Sequence, residues 1–142
     1  MESHLRLLRA IVVLSMPLLA SCGPSRPIWH DQRLPSGKTV KVTSCLFVWG
    51  VEHDERDISK DSFALEYVSA DPQADVPRRE AEATEVFELI RPISELWGLR
   101  SASIAGFPGV ERKGRYDLYL FQRQADGRWS FTRSEQKVFA TD

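Results

Sequence analysis

Cysteine is nearly absent, with Cys22 and Cys45 the only two in 142 residues. That excludes a small domain stapled by a framework of disulfides. Long apolar runs are missing too. The longest, Ala10–Ala20, is interrupted by Ser15 and Pro17. Eleven helical residues span only about 16 Å, whereas a hydrocarbon core of roughly 30 Å needs about 20 residues. A permanent membrane helix is therefore not expected. Nor does either charge dominate: 19 basic residues face 20 acidic ones, so no global field favours nucleic acid. Standard catalytic signatures are lacking as well. The chain contains no G-x-S-x-G, H-E-x-x-H, C-x-x-C or dinucleotide fingerprint. Gly109 to Gly114 has the glycine spacing of a phosphate loop but not the Lys-Ser/Thr that completes one, so it reads as a surface loop.

The front of the chain is informative. His4, Arg6 and Arg9 form a basic head, the apolar run follows, and Leu19-Ala20-Ser21 leads directly to Cys22. This charged, apolar, small-residue order is that of a secretory signal. Leu19-Ala20-Ser21-Cys22 resembles the lipobox of bacterial lipoproteins. The resemblance implies a diacylglycerol on the Cys22 thiol, cleavage just before it and acylation of the new amine. Several acyl chains on one residue give stable anchoring, where a single chain is marginal. Gly23 stands where an aspartate favours inner-membrane retention in Gram-negative lipoproteins, which implies the outer membrane. The expected organisation is a signal at residues 1–21, a lipidated tether at 22–27 and one domain at 28–142.

From Gly23 to Pro27 the tether reaches at most about 18 Å, which keeps the domain beside its own membrane. With Cys22 consumed by lipid, Cys45 is the remaining thiol and the domain must cohere by core packing alone. About 120 residues suffice for that.

Without its signal the chain carries 17 basic and 19 acidic residues, unevenly spread. Residues 22–49 sum to +3, residues 50–98 to −8 and residues 99–142 to +3. Such asymmetry marks either an interaction face or a solvated acidic helix beside a basic hairpin.

Period-two alternation and turn residues predict strands at Ile28–Leu34, Thr39–Trp49, Ser62–Ser69, Arg100–Phe107, Tyr116–Arg123 and Trp129–Arg133. In the second of these, Val40, Val42, Leu46 and Val48 are expected on one face, and Thr39, Lys41, Thr43, Cys45, Phe47 and Trp49 on the other, where Lys41 and Thr43 point to an exposed Trp49. Asp126-Gly127 is the clearest hairpin turn. Ala83, Val86, Ile90, Ile93 and Trp97 recur at helical spacing after the capping residue Asp75, with Pro92 kinking or dividing the helix. The pattern β-β-β-α-β-β-β predicts an α+β two-layer sandwich: an antiparallel sheet of five or six strands on one kinked helix.

Candidate functional residues are few. Glu82, Glu85, Glu88 and Glu95 should point outward from the helix and, with Trp49 as apolar anchor, offer a surface to a basic partner. His53, Asp54, Glu55 and Asp57 are the densest oxygen and nitrogen ligands, suited at most to a weak calcium or magnesium site. Cys45 and His53 would be the nucleophile and base of a small enzyme or redox-responsive protein using the acidic loop 52–61. The leading expectation is a non-enzymatic, monomeric envelope lipoprotein with no cofactor and no nucleic-acid partner. It would be held to the membrane through Cys22 and bind a protein or other envelope component there.

Overall fold

Alternating apolar residues and one amphipathic helical segment produce two layers. The computed structural model describes residues 30–138. The signal at 1–21, the lipidation position Cys22, the tether and Trp29 lie outside the described residues. In chain order the elements are β1 (His30–Arg33), β2 (Thr39–Val48), β3 (Val51–Glu52), β4 (Glu55–Arg56), a 3-10 turn (Ile58–Lys60) and β5 (Ser62–Val68). The helices α1 (Val76–Glu88) and α2 (Arg91–Leu96) follow, then β6 (Ser101–Phe107), β7 (Arg115–Arg123) and β8 (Trp129–Lys137). Six strands form the main sheet in the order β1-β2-β5-β6-β7-β8, and β3 with β4 makes a separate two-stranded ribbon.

The structure is thus α+β with helices on one face of a six-stranded sheet, but the sheet is not wholly antiparallel. Strands β5 and β6 run parallel, Leu65 opposite Ile104. The helical segment between them carries the chain back over the sheet, so the second strand starts where the first one did. The single kinked helix is likewise corrected to two. Leu89 and Ile90 separate α1 from α2, and Pro92 sits in the first turn of the new helix, where its missing N–H costs nothing.

Helix boundaries follow local chemistry. Asp75 accepts a hydrogen bond from the Arg78 amide at 3.1 Å and caps α1. At the far end Gly98 takes φ +70°, while the Leu99 amide donates to the Ser94 carbonyl at 2.8 Å and the Gly98 amide to Glu95. That pairing closes the helix with a left-handed glycine. Ala83, Val86, Phe87, Ile90 and Ile93 are buried, packed with Leu65, Ala102, Ile104, Tyr119 and Phe121 of the sheet. Phe87 stacks on Phe121 at 4.1 Å between ring centroids.

Strand β2 departs from the expected facing. A bulge between Val42 and Ser44 inserts one unpaired residue, Thr43. One extra residue reverses the alternation. Val40 and Val42 face the helices before it; Cys45 and Phe47 do so after it. Leu46 and Val48, expected with Val40, instead emerge on the opposite, uncovered face at 46% and 42% exposure. The turn at Gly127 has φ +85°, as the Asp-Gly signal requires, and β8 runs four residues beyond Arg133.

Phe87 fills the centre of the layer interface. Phe87→Ala should destabilise the domain by about 3–5 kcal/mol, read as a lower urea midpoint at unchanged slope. A shift corresponding to under about 1 kcal/mol would mean that the helix layer is not packed as described.

Candidate functional site

Two places combine exposure or buried polarity with fixed geometry, at opposite ends of the sandwich. The first is a cleft of about 140 Å³ at the carboxyl ends of the parallel pair, lined by Tyr67, Ser69, Arg79, Asp117 and Tyr119. Its charges are already matched. Asp117 accepts from Arg79 Nε at 2.7 Å and from Arg133 Nη1 at 2.6 Å, and Arg79 Nη1 also donates to the Ala74 carbonyl at 2.6 Å. This Arg–Asp–Arg clamp ties α1 to β7 and β8. Removing one member would leave the others charged and partly desolvated.

Glu82 belongs to the same end. It was expected to point outward, and the structure corrects this: the residue is 2% exposed, and its Oε1 accepts from Ser69 Oγ at 2.7 Å. The hydroxyl of Tyr67 also hydrogen-bonds to it. Glu82 precedes Ala83 of the apolar stripe and borders it, and the hydroxyls beneath together with the Lys38 ammonium, 3.8 Å from its Oε2, make its burial possible. Burial pushes the Tyr67 hydroxyl well above its ordinary pKa, with Glu82 adding to the effect. Burial raises Tyr119 too, reinforced by Asp117. Both phenols therefore stay protonated, and the Tyr119 hydroxyl is buried without a hydrogen-bond partner among the described residues.

The remaining helix acids are exposed or half-buried, and each has an internal partner. Glu85 accepts from the Ser36 amide at 2.8 Å and Glu88 pairs with Arg91 at 2.8 Å. Glu95 accepts from the Trp129 indole at 3.0 Å, which holds its carboxyl below the usual range, with Arg91 assisting.

The second place is apolar. Among the described residues eight large hydrophobic side chains are exposed, and six of them share one end: Leu46, Val48, Trp49, Val51, Ile58 and Leu96. Trp49 is 66% exposed. Beneath it lies an aromatic base. Phe47 meets Trp49 at 5.2 Å, Trp97 at 5.3 Å and Phe63 at 5.6 Å. The ring of Trp49 also carries the Arg56 guanidinium at 4.4 Å, a cation–π contact.

The segment read as an acidic loop is a pinned hairpin. His53 and Asp54 take φ +50° and +65°, the two left-handed residues of a two-residue turn that joins β3 to β4. No glycine announces it, and the only sequence signal is that His and Asp tolerate this region better than most residues. Asp61, 5% exposed, fastens the base: it accepts from the Gly50 amide at 2.8 Å and from both Arg56 amino groups, Nη2 at 2.6 Å. Arg56 also donates to the Gly50 carbonyl at 3.0 Å. Gly50 is obligatory here, because a Cβ would lie 2.2 Å from the Asp57 carbonyl oxygen.

The proposed ligands do not converge. Asp57 is taken up by Ser59, and among the described residues no three His, Cys, Asp or Glu side chains are grouped to hold a metal. Cys45 packs on the core from the middle of β2, while His53 is exposed at the hairpin tip, so the two do not form one site.

Hydrogen bonding by Arg56 holds Asp61 below the usual carboxylate range against the opposing effect of burial. Because the folded value is depressed, the stabilisation is complete above the unfolded value of about 3.9 and is lost as pH falls through the folded value beneath it. Amide exchange across residues 51–57 should therefore accelerate in acid before that of β6 and β7. Asp61→Asn should accelerate it at neutral pH by about tenfold or more, the scale of a charge-assisted hydrogen bond of roughly 1.5–3 kcal/mol. Unchanged exchange in that variant would show that the pair does not hold the hairpin.

Compared with known proteins, the chain matches no family model, no curated protein and no solved structure.

Proposed function

We propose that this chain is an envelope lipoprotein, lipidated on Cys22 and held at the outer membrane, whose α+β domain is a non-enzymatic binding module. The anchor rests on the residues Leu19-Ala20-Ser21-Cys22. The binding role is supported by one structural observation: Trp49 stands exposed on an aromatic base of Phe47, Phe63 and Trp97, next to the pinned hairpin that carries the exposed Val51. Exposed apolar groups concentrated on a fixed surface mark an interaction site, whereas scattered ones do not. Trp49 stays the apolar anchor of the contact. Glu85, Glu88 and Glu95 hold internal partners, Glu85 at the β1–β2 turn away from Trp49, and Glu82 is withdrawn from the surface.

The reading that uses Cys45 and His53 as a reactive pair gains no support, since the thiol faces the core and the imidazole the solvent.

Two measurements test the proposal. The wild-type protein should carry the mass of an acylated Cys22, and Cys22→Ala should remain an unprocessed precursor. Crosslinking of the lipidated protein in its own envelope should give products that weaken several-fold in Trp49→Ala. An unlipidated wild type, or crosslinks indifferent to Trp49, would overturn the anchor and the contact surface respectively.

A further inference from the structure

We propose that the face of the sheet turned away from the helices is covered by a second copy of this chain. The two-fold dimer so formed replaces the monomer expected from the sequence. It is independent of the lipid anchor and of the Trp49 surface, because Trp49 packs on Phe47, whose ring joins the core beneath the helices.

Cross-strand register lays this face out row by row. Leu46 lies beside Ala64, Ala64 beside Ser103, Ser103 beside Leu120 and Leu120 beside Thr132. None of these is charged, nor is any residue of the adjoining row from Val48 to Ser130. Protein surfaces that stay in water are about 25–35% charged. Charge is plentiful in these strands, but on the other side: Arg133, Glu135 and Lys137 of β8 are in phase with Phe131 and fall on the helix-facing side. Glu66, at one end of the open face, is paired with Arg112.

Side-chain size gives the face a shape that fits itself. Leu118 and Leu120 form a ridge on β7, and Leu120 is 45% exposed. In the rows of those leucines β6 presents Ser103 and Ala105, and β5 presents Ala64, so a shallow trough runs beside the ridge. A two-fold axis along the strands sets the ridge of each copy into the trough of the other, an isologous contact. Large apolar side chains facing small ones is how packed layers interdigitate. The uncharged rows bring no like charges together. Five strands about 4.8 Å apart, each seven residues long at about 3.4 Å per residue, present roughly 570 Å² on each copy. The pair then covers about 1,100 Å², above the roughly 1,000 Å² that a specific interface needs.

The test co-expresses two differently tagged full-length copies in their own host and treats the envelope with a short bis-maleimide. With Ser103→Cys in both, a product of twice the chain mass should carry both tags, several-fold above the wild-type background. Arg78→Cys, on the exposed side of α1, should stay at that background. Adding Leu120→Arg to Ser103→Cys should remove the product, because it buries an unpaired charge in the contact. Thr132→Glu, at an exposed position of β8, should do the same, and unchanged protease resistance checks that both variants fold. Trp49→Ala should leave the product in place, and its loss there would move the contact to the other surface and overturn the inference. A product of another mass bearing one tag means that a different protein covers the face, which also overturns it. So does equal product from Arg78→Cys, which reports crowding, and so does no product at all, which leaves the face to water.

Discussion

The apolar stripe of α1 has one surface available to it, and its burial there determines the rest of the arrangement. Ala83, Val86, Phe87 and Ile90 must leave water, and the helix is long enough to lie across β5, β6 and β7. The helical segment carries the chain back over the sheet to the end where β5 began, and β6 then runs parallel to β5. The edges then follow: β1 and β2 extend one side, and the β7–β8 hairpin the other. Polar groups are fitted around this apolar contact, with the Arg79–Asp117–Arg133 clamp at one end and the Trp129–Glu95 hydrogen bond nearer the other.

Much of this was legible in the sequence because it depends on period and on punctuation. The stripe from Ala83 to Ile93, the Asp75 cap, the Gly98 stop and the Asp126-Gly127 turn are local signals, and the structure uses each where it was expected. What escaped was non-local or depended on a single inserted residue. Nothing in Thr39–Val48 marks Thr43 as unpaired, yet that residue exchanges the two faces of the strand beyond it. Direction within the sheet is also invisible in alternation, which is identical for parallel and antiparallel strands.

The candidate site was legible only in part, for the same reason. Exposure of Trp49 was anticipated from the polar residues Lys41 and Thr43, but the strand's phase had changed by then. Its actual cause is that the chain has left the sheet and entered the β3–β4 hairpin. Glu82 shows the converse error. Charge alone argued for solvent, whereas Ser69 and Tyr67 beneath the helix provide a polar recess for its carboxylate. Helical spacing says which way a residue points, and only tertiary structure says what awaits it.

Charge counting misled in a related way. The segment from Gly50 to Gly98 sums to −8 and looks like a field for a cationic partner. Resolved into contacts, its acids act one by one as struts. Asp61 fastens the hairpin, Glu82 seats α1 on β5, Glu85 holds the β1–β2 turn, and Glu95 joins α2 to β8. A carboxylate committed to a short internal hydrogen bond has little capacity left for a partner, because recruiting it would mean breaking that bond. The acids are spent on internal geometry. The apolar side chains near Trp49, by contrast, have no internal use that would require their exposure. The contact proposed for this surface would rest on shape and apolar burial, with the charges of Asp54, Glu55 and Asp57 confined to the hairpin and its foot.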